Sequence, residues 1–89
     1  MYSVKVVVTD EVGLHARPAS KFVKKATSFS SEINVKKDGF DTSYNAKSIT
    51  AVLRMAAVKN TLLVITAVGV DEAQACEELK TLVSNNFEG

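Results

Sequence analysis

The sequence has one histidine, one cysteine and one proline, and it has no tryptophan. A disulfide or a thiol redox pair needs two cysteines, so the lone Cys76 excludes both within this chain. One histidine without a cysteine pair also leaves no ligand cluster for a metal enzyme. We therefore expect no metal site and no cofactor, and a protein suited to the interior of a cell.

Net charge and long apolar runs are also lacking. The 11 basic residues nearly balance the 10 acidic ones, giving a net charge of +1, so nothing draws the whole chain to nucleic acid or to a membrane surface. The N-terminal sequence MYSVKVVVTDE has no long apolar segment behind a basic start. No stretch approaches the roughly 18 apolar residues of a membrane span. These absences predict a cytoplasmic protein without membrane insertion.

Aromatic residues are few, with two tyrosines and four phenylalanines. Nucleic-acid binding by a small sheet needs aromatic side chains on neighbouring strands and a basic face. Neither the composition nor any RNP-like run supports it, so no nucleic-acid partner is expected.

Alternating apolar side chains and β-branched runs predict strands. The pair Asp38-Gly39 supplies turn chemistry between two of them, which predicts a hairpin. The predicted strands are Tyr2–Val8, Ile33–Lys36, Phe40–Tyr44 and Thr61–Val68.

Three segments have the apolar spacing of amphipathic helices. Pro18 suits the first turn of a helix, so the first helix begins near Ala16 or Arg17. Ser48 can cap a second helix that ends near Val58–Asn60. Asp71, with Gln74 three residues later, gives a start like a capping box for a third. The apolar stripes with this spacing are Ala19, Phe22, Val23 and Ala26; Ile49, Val52, Leu53 and Ala56; and Ala75, Cys76, Leu79, Leu82 and Val83.

The element order is therefore βαββαβα in one domain, residues 1–89. It predicts an α+β fold, a two-layer open-faced β-sandwich in which a four-stranded antiparallel sheet carries three helices on one face.

The most informative motif is Gly13-Leu14-His15-Ala16-Arg17-Pro18-Ala19-Ser20, which places the single histidine at the entrance to the first helix. Unpaired backbone N–H groups and the positive end of the helix dipole make such a position an anion site. Arg17 adds a planar fork of donors that suits phosphate oxygens. His15 is thus a candidate phosphoryl acceptor and Arg17 its phosphate clamp.

This motif, the later segment Asn45-Ala46-Lys47-Ser48-Ile49 and the element order together resemble the HPr family. HPr proteins are the histidine-containing phosphocarriers of the bacterial phosphoenolpyruvate-dependent sugar phosphotransferase system. The resemblance covers essentially the whole chain. It implies a carrier rather than an enzyme, which accepts a phosphoryl group from phosphorylated enzyme I on the pros nitrogen of His15. The group then passes to the IIA component of a sugar permease.

The resemblance also implies that Ser48 is a regulatory serine, with a kinase, a phosphorylase and a transcriptional regulator as further partners in some hosts. A carrier that docks two proteins in turn suits a monomer. Docking is expected on a mixed apolar and basic patch, for which an acidic partner face would be complementary. Besides Arg17, that patch comprises Ala16, Ser20, Lys21, Lys24, Lys47, Ile49, Leu53 and Arg54.

Some positions depart from the family pattern. After Ile49, Thr50 and Ala51 stand where a bulky apolar residue and glycine are common in the family. At the end of the second helix, Arg54-Met55-Ala56-Ala57 replaces a Ser-Leu-Gly-like sequence. The segment Gly39–Tyr44 is longer than usual. These differences bear on partner choice and leave the His15 motif unchanged.

Two alternatives stay open. The chain could be a regulatory binding module that acts mainly through phosphorylation of Ser48, with little phosphotransfer. Periodicity also does not distinguish a core face from a docking face at Ile49 and Leu53.

Overall fold

The computed structural model describes residues 1–11 and 13–87, which contain four strands and three helices in the predicted βαββαβα order. The elements are β1 (Tyr2–Val7), α1 (Ala16–Thr27), β2 (Glu32–Lys37), β3 (Tyr44–Asn45), α2 (Ile49–Met55), β4 (Leu62–Val68) and α3 (Glu72–Ser84).

The sheet has the order β1-β4-β2-β3, and each neighbouring pair is antiparallel. β4 is central, because Ile65 lies opposite Val4 of β1 on one side and opposite Val35 of β2 on the other. Successive side chains of a strand point to opposite faces. One face accordingly holds buried Val6, Ile33, Val35, Leu63, Ile65 and Ala67, while alternate residues such as Ser3, Lys5, Glu32 and Asn34 are exposed.

The helices bury their apolar stripes against the inward face of the sheet. α1 contributes Phe22, and α3 contributes the predicted residues Ala75, Cys76, Leu79, Leu82 and Val83. The predicted α+β open-faced β-sandwich is thus confirmed. None of the helices in the described part of the chain is long and apolar enough to cross a membrane.

The predicted strand Phe40–Tyr44 is wrong. Gly39 makes the expected turn with φ +86°, but residues 40–43 form an exposed loop and β3 is confined to Tyr44–Asn45. Phe40 is 58% exposed, with the Lys37 ammonium 4.7 Å from its ring centre. β propensity alone does not make a strand where the side chains find no partner strand or core.

The predicted end of α2 near Val58–Asn60 is also wrong, because the helix ends at Met55. Ala56, predicted to lie on the helix face, adopts a left-handed conformation with φ 54° and ψ 46°. This turn brings Ala57 into the core. The buried face of α2 consists of Val52 and Met55.

Asp71 immediately precedes α3, but the capping-box prediction is wrong. Within the described residues its carboxylate caps no helix N–H; it accepts instead from the backbone N–H groups of Ser30 (2.8 Å) and Ser31 (2.9 Å) and from the Ser31 hydroxyl. These hydrogen bonds lower the pKa of Asp71, with the Ser31 hydroxyl as the largest cause. Glu72 accepts from the Gly69 N–H at 3.1 Å.

Candidate functional site

His15 occupies the N-cap position of α1. Its backbone is extended (φ −93°, ψ −168°), and its carbonyl accepts the first helical hydrogen bond from the Ala19 N–H at 2.9 Å. The imidazole is exposed, and it caps no helix N–H among the described residues. The side chain is therefore available to a reactant from solvent.

The start of α1 is suited to an anion. The N–H groups of Ala16 and Arg17 precede the first helical hydrogen bond, and Pro18 has no N–H to leave unpaired. The first turn contains no acidic side chain. Within the described part of the chain, the exposed Arg17 guanidinium has no ion-pair partner. Dipole and guanidinium both favour a negative group here.

The loop before His15 is fixed by the segment that follows α2. Leu14 is buried and donates its N–H to the Ala57 carbonyl at 2.8 Å. Gly13 has φ +83°, which favours glycine, and its N–H donates to the backbone carbonyl of Asp10 at 3.1 Å. The histidine is thus held at the end of an anchored loop.

His15 and Arg17 line one open cleft. The other lining residues are Thr9, Asp10, Glu11, Pro18, Lys21, Asn86 and Phe87. Glu11 forms an ion pair with Lys59 at 2.9 Å. The sequence interpretation missed the contributions of the loop after β1 and of the turn after α3, which come together only in the folded chain.

The turn after α3 is a Schellman motif. The Phe87 N–H donates to the Leu82 carbonyl at 2.8 Å, and the Asn86 N–H donates to the Val83 carbonyl at 3.1 Å. Asn86 has φ 57°, the left-handed position at which asparagine is the second choice after glycine. Phe87 has φ 63° and is buried. The Asn85-Asn86 pair followed by phenylalanine was the sequence signal for this turn.

Ser48 is the N-cap of α2, as predicted. Its hydroxyl oxygen accepts from the Ala51 N–H at 3.2 Å, and the residue is half-buried. The cap fixes the start of the helix that carries Ile49 and Leu53.

The candidate docking residues lie on α1, on α2 and just before α2, and the two helices pack against each other. Ile49 and Leu53 are 39% and 41% exposed, so neither is a core residue. Ala16, Ser20, Lys24 and Arg54 are exposed. Two lysines of the set instead bind backbone carbonyls: Lys21 Nζ donates to Phe87 at 3.0 Å, and Lys47 Nζ donates to Phe29 at 2.7 Å.

An exposed imidazole at a helix N-terminus, in one cleft with an arginine on a small open-faced α+β domain, is the arrangement expected of a histidine phosphocarrier. A family model described as "PTS HPr component phosphorylation site" matches residues 2–85. The chain belongs to this HPr family and is a phosphocarrier of the phosphotransferase system.

Individual relatives agree with this assignment. The chain is 46% identical over 83 residues to the phosphocarrier protein HPr of Haemophilus influenzae, across 93% of this chain and 95% of that protein. It is 36% identical over 87 residues to the HPr of Neisseria meningitidis, across 98% and 96%. A crystal structure of HPr-C-His from Thermoanaerobacter tengcongensis superposes with a TM-score of 0.91 at 37% identity, across 98% of this chain and 96% of that one.

Proposed function

We propose that His15 is the residue that carries the phosphoryl group. In the forward step, the lone pair of its pros nitrogen, Nδ1, attacks the phosphorus of phosphorylated enzyme I. The new N–P bond forms as the bond between phosphorus and the donor breaks, and the donor keeps that electron pair. In the second step, a nucleophile of the IIA component attacks the phosphorus, the N–P bond breaks, and the imidazole nitrogen keeps the electron pair. The protein is a co-substrate in both steps and is regenerated by the second.

One observation carries this proposal: the exposed imidazole shares a cleft with Arg17, at a helix start whose first turn has no acidic side chain. The N–H groups of Ala16 and Arg17 and the guanidinium can stabilise the phosphate that develops on His15. Because these donors are already in place, little reorganisation is needed when the negative charge arrives.

The proposed docking surface is the exposed part of α1 and α2 around the cleft. Ile49 and Leu53 supply an apolar centre, and Arg54 and Lys24 supply positive charge at its edge. An acidic face on enzyme I or IIA fits this arrangement, and the charges raise the association rate more than the final affinity. A monomer in the cytoplasm leaves the surface free for each partner in turn.

Ser48 is proposed as a second phosphorylation site, used for regulation where a kinase and a phosphorylase are present. A phosphate there stays compatible with α2, because the helix N-terminus favours negative charge. It also adds that charge next to Ile49. Docking to an acidic partner then weakens, while a transcriptional regulator with basic residues gains a contact.

The carrier function is tested with labelled phosphoenolpyruvate and a bacterial enzyme I. The unsubstituted protein is expected to take up label that is acid-labile, stable to base and transferable to a IIA protein. His15→Ala is expected to take up none, and Arg17→Met to take up label more slowly. A known HPr labelled in parallel controls for enzyme I activity. Undiminished label in a folded His15→Ala protein, or no label in the unsubstituted one, contradicts the proposal.

The Ser48 proposal is tested in the same assay by comparing Ser48→Asp with Ser48→Ala. The aspartate variant is expected to raise the KM for enzyme I, and the alanine variant to leave it near the unsubstituted value. Equal KM values for the two variants would show that charge at this position does not control docking.

A further inference from the structure

We propose that Lys21 is a positioning residue for phosphoryl transfer, which holds the turn after α3 as a wall of the His15 cleft. This inference rests on the proposed role of His15. Lys21 belongs to the candidate docking patch by sequence, but its contact points to another task.

The contact joins α1 to the last described residue. Lys21 Nζ donates to the Phe87 carbonyl oxygen at 3.0 Å, although the two residues are 66 positions apart. Lys21, Phe87 and Asn86 all line the cleft that contains His15 and Arg17. The hydrogen bond of the exposed Lys21 thus ties α1 to the turn that lines this cleft.

The turn needs such support. Asn86 and Phe87 both have positive φ, 57° and 63°, and for a side chain as bulky as phenylalanine this conformation is unfavourable. Besides the two backbone hydrogen bonds of the Schellman motif, three contacts hold the turn: burial of Phe87, the Lys21 hydrogen bond and a hydrogen bond from the Thr9 hydroxyl to Asn86 Oδ1. The Thr9 contact ties the turn to the loop after β1, which lines the same cleft. Lys21 therefore acts on His15 through the turn.

The turn after α3 affects the hydrolysis of phosphohistidine, which competes with phosphoryl transfer. In hydrolysis of phosphohistidine, water forms a P–O bond while the N–P bond breaks, and the imidazole nitrogen keeps the electron pair. Because Asn86 and Phe87 line the cleft that contains His15, we expect the turn to limit the approach of water from that side. Loss of the Lys21 hydrogen bond lets this turn move away and admits water to the phosphorus. The same loss also leaves the reactants less well placed for transfer.

The experiment compares Lys21→Met, Lys21→Arg and, as a matched control, Lys80→Met on the exposed face of α3. We expect Lys21→Met to shorten the lifetime of the phosphorylated protein and to lower kcat for transfer from enzyme I, each by about three- to tenfold, the scale of one hydrogen bond. KM should change little, Lys21→Arg should recover most of the loss, and Lys80→Met should match the unsubstituted protein.

A double-mutant cycle with Asn86→Val distinguishes an effect of Lys21 through the turn from an effect on partner docking. Asn86→Val disrupts the turn, because a β-branched residue disfavours the left-handed conformation. If Lys21 acts through the turn, Lys21→Met has little further effect on the lifetime in the Asn86→Val background. An increase in KM alone, or equal effects in both backgrounds, overturns the proposal, and so does no effect at all. Because each variant must first be labelled at His15, failure of the carrier function shows separately as absence of label. Circular dichroism confirms that each variant is folded.

Discussion

A Cβ atom placed on Gly13 would lie 2.4 Å from the Ala57 carbonyl oxygen and 2.7 Å from the Val58 Cα. The same carbonyl accepts the Leu14 N–H at 2.8 Å. The loop that carries His15 is therefore packed directly on the segment that ends α2, and only a glycine permits so close an approach. The loop that carries His15 and the segment at the end of α2 form one packing unit.

Gly13→Ala should destabilise the protein far more than Gly39→Ala. Both glycines have positive φ, +83° and +86°, but a Cβ at Gly39 would meet nothing within 4 Å. We expect a loss of about 1 kcal/mol for Gly39→Ala from backbone strain, and about 3 kcal/mol for Gly13→Ala because overpacking is added. Urea denaturation of both variants measures the difference. Equal losses would show that the Ala57 segment yields to a side chain without cost.

Ala56→Gly should stabilise the protein. Ala56 is exposed and left-handed after the last residue of α2, where glycine avoids the strain of a Cβ. The gain is partly offset by the greater freedom of glycine in the unfolded chain, which leaves a net gain of up to about 1 kcal/mol. Ala51→Gly, inside α2, is the matched control and should destabilise by about 1 kcal/mol. Thermal denaturation of the two variants should give shifts of opposite sign.

Ser48→Ala should cost about 1 kcal/mol, because the Ala51 N–H loses the hydroxyl oxygen that it now binds at 3.2 Å. Thr50→Ala is the control, since Thr50 is exposed on the same helix and forms no side-chain hydrogen bond with the described residues. Ser48→Asp should retain most of the stability, because aspartate is also a good N-cap. Chemical denaturation distinguishes the three, and equal stability of Ser48→Ala and Thr50→Ala would exclude a capping role.

Asp71 should make stability depend on acid pH. Hydrogen bonds from Ser31 and Ser30 lower its pKa from the ordinary value of 3.8. A lowered pKa in the folded state means that the unfolded chain binds the proton more readily. The contribution is therefore fully present above about pH 4 and is lost as the pH falls through the folded-state pKa.

The measurement is the free energy of unfolding between pH 7 and pH 2. Asp71→Asn should be less stable than the unsubstituted protein at pH 7, and the two should converge at low pH. Asp41→Asn, in the exposed loop after β2, should follow the unsubstituted protein throughout. Some pH dependence will remain in every variant, because hydrogen bonds and ion pairs also lower the pKa of Glu72 and Glu78. A constant gap between Asp71→Asn and the unsubstituted protein would contradict the prediction.

Local chemistry made much of the fold predictable. Pro18 marked the start of α1, Ser48 marked the start of α2, and the alternating residues of β1, β2 and β4 identified the inward face of the sheet. These signals depend on the backbone preference of one residue or on the period of one element. The motif around His15 is also a local signal, because the helix start and the arginine are both encoded within a few residues.

The errors arose where distant segments decide the outcome. Asp71 looked like a helix cap, but its carboxylate binds a loop about 40 positions away in sequence. Phe40 has a high strand propensity, yet among the described residues it pairs with no strand. Lys21 could be placed on the exposed side of α1, but its bond to Phe87 depends on how α3 ends. Periodicity contains no information about such long-range pairs.

The central position of β4 has a consequence for the newly made protein. β1 is synthesised before its hydrogen-bonded neighbour in the sheet, β4, which is complete only at Val68. β2 pairs along its full length with the same late strand. In a ribosome-bound chain that ends before residue 62, β1 thus has no partner strand, and most of the core apolar side chains are not yet covered by β4 and α3. We therefore expect the complete sheet to form only after β4 has been synthesised, since its contacts join segments far apart in the sequence.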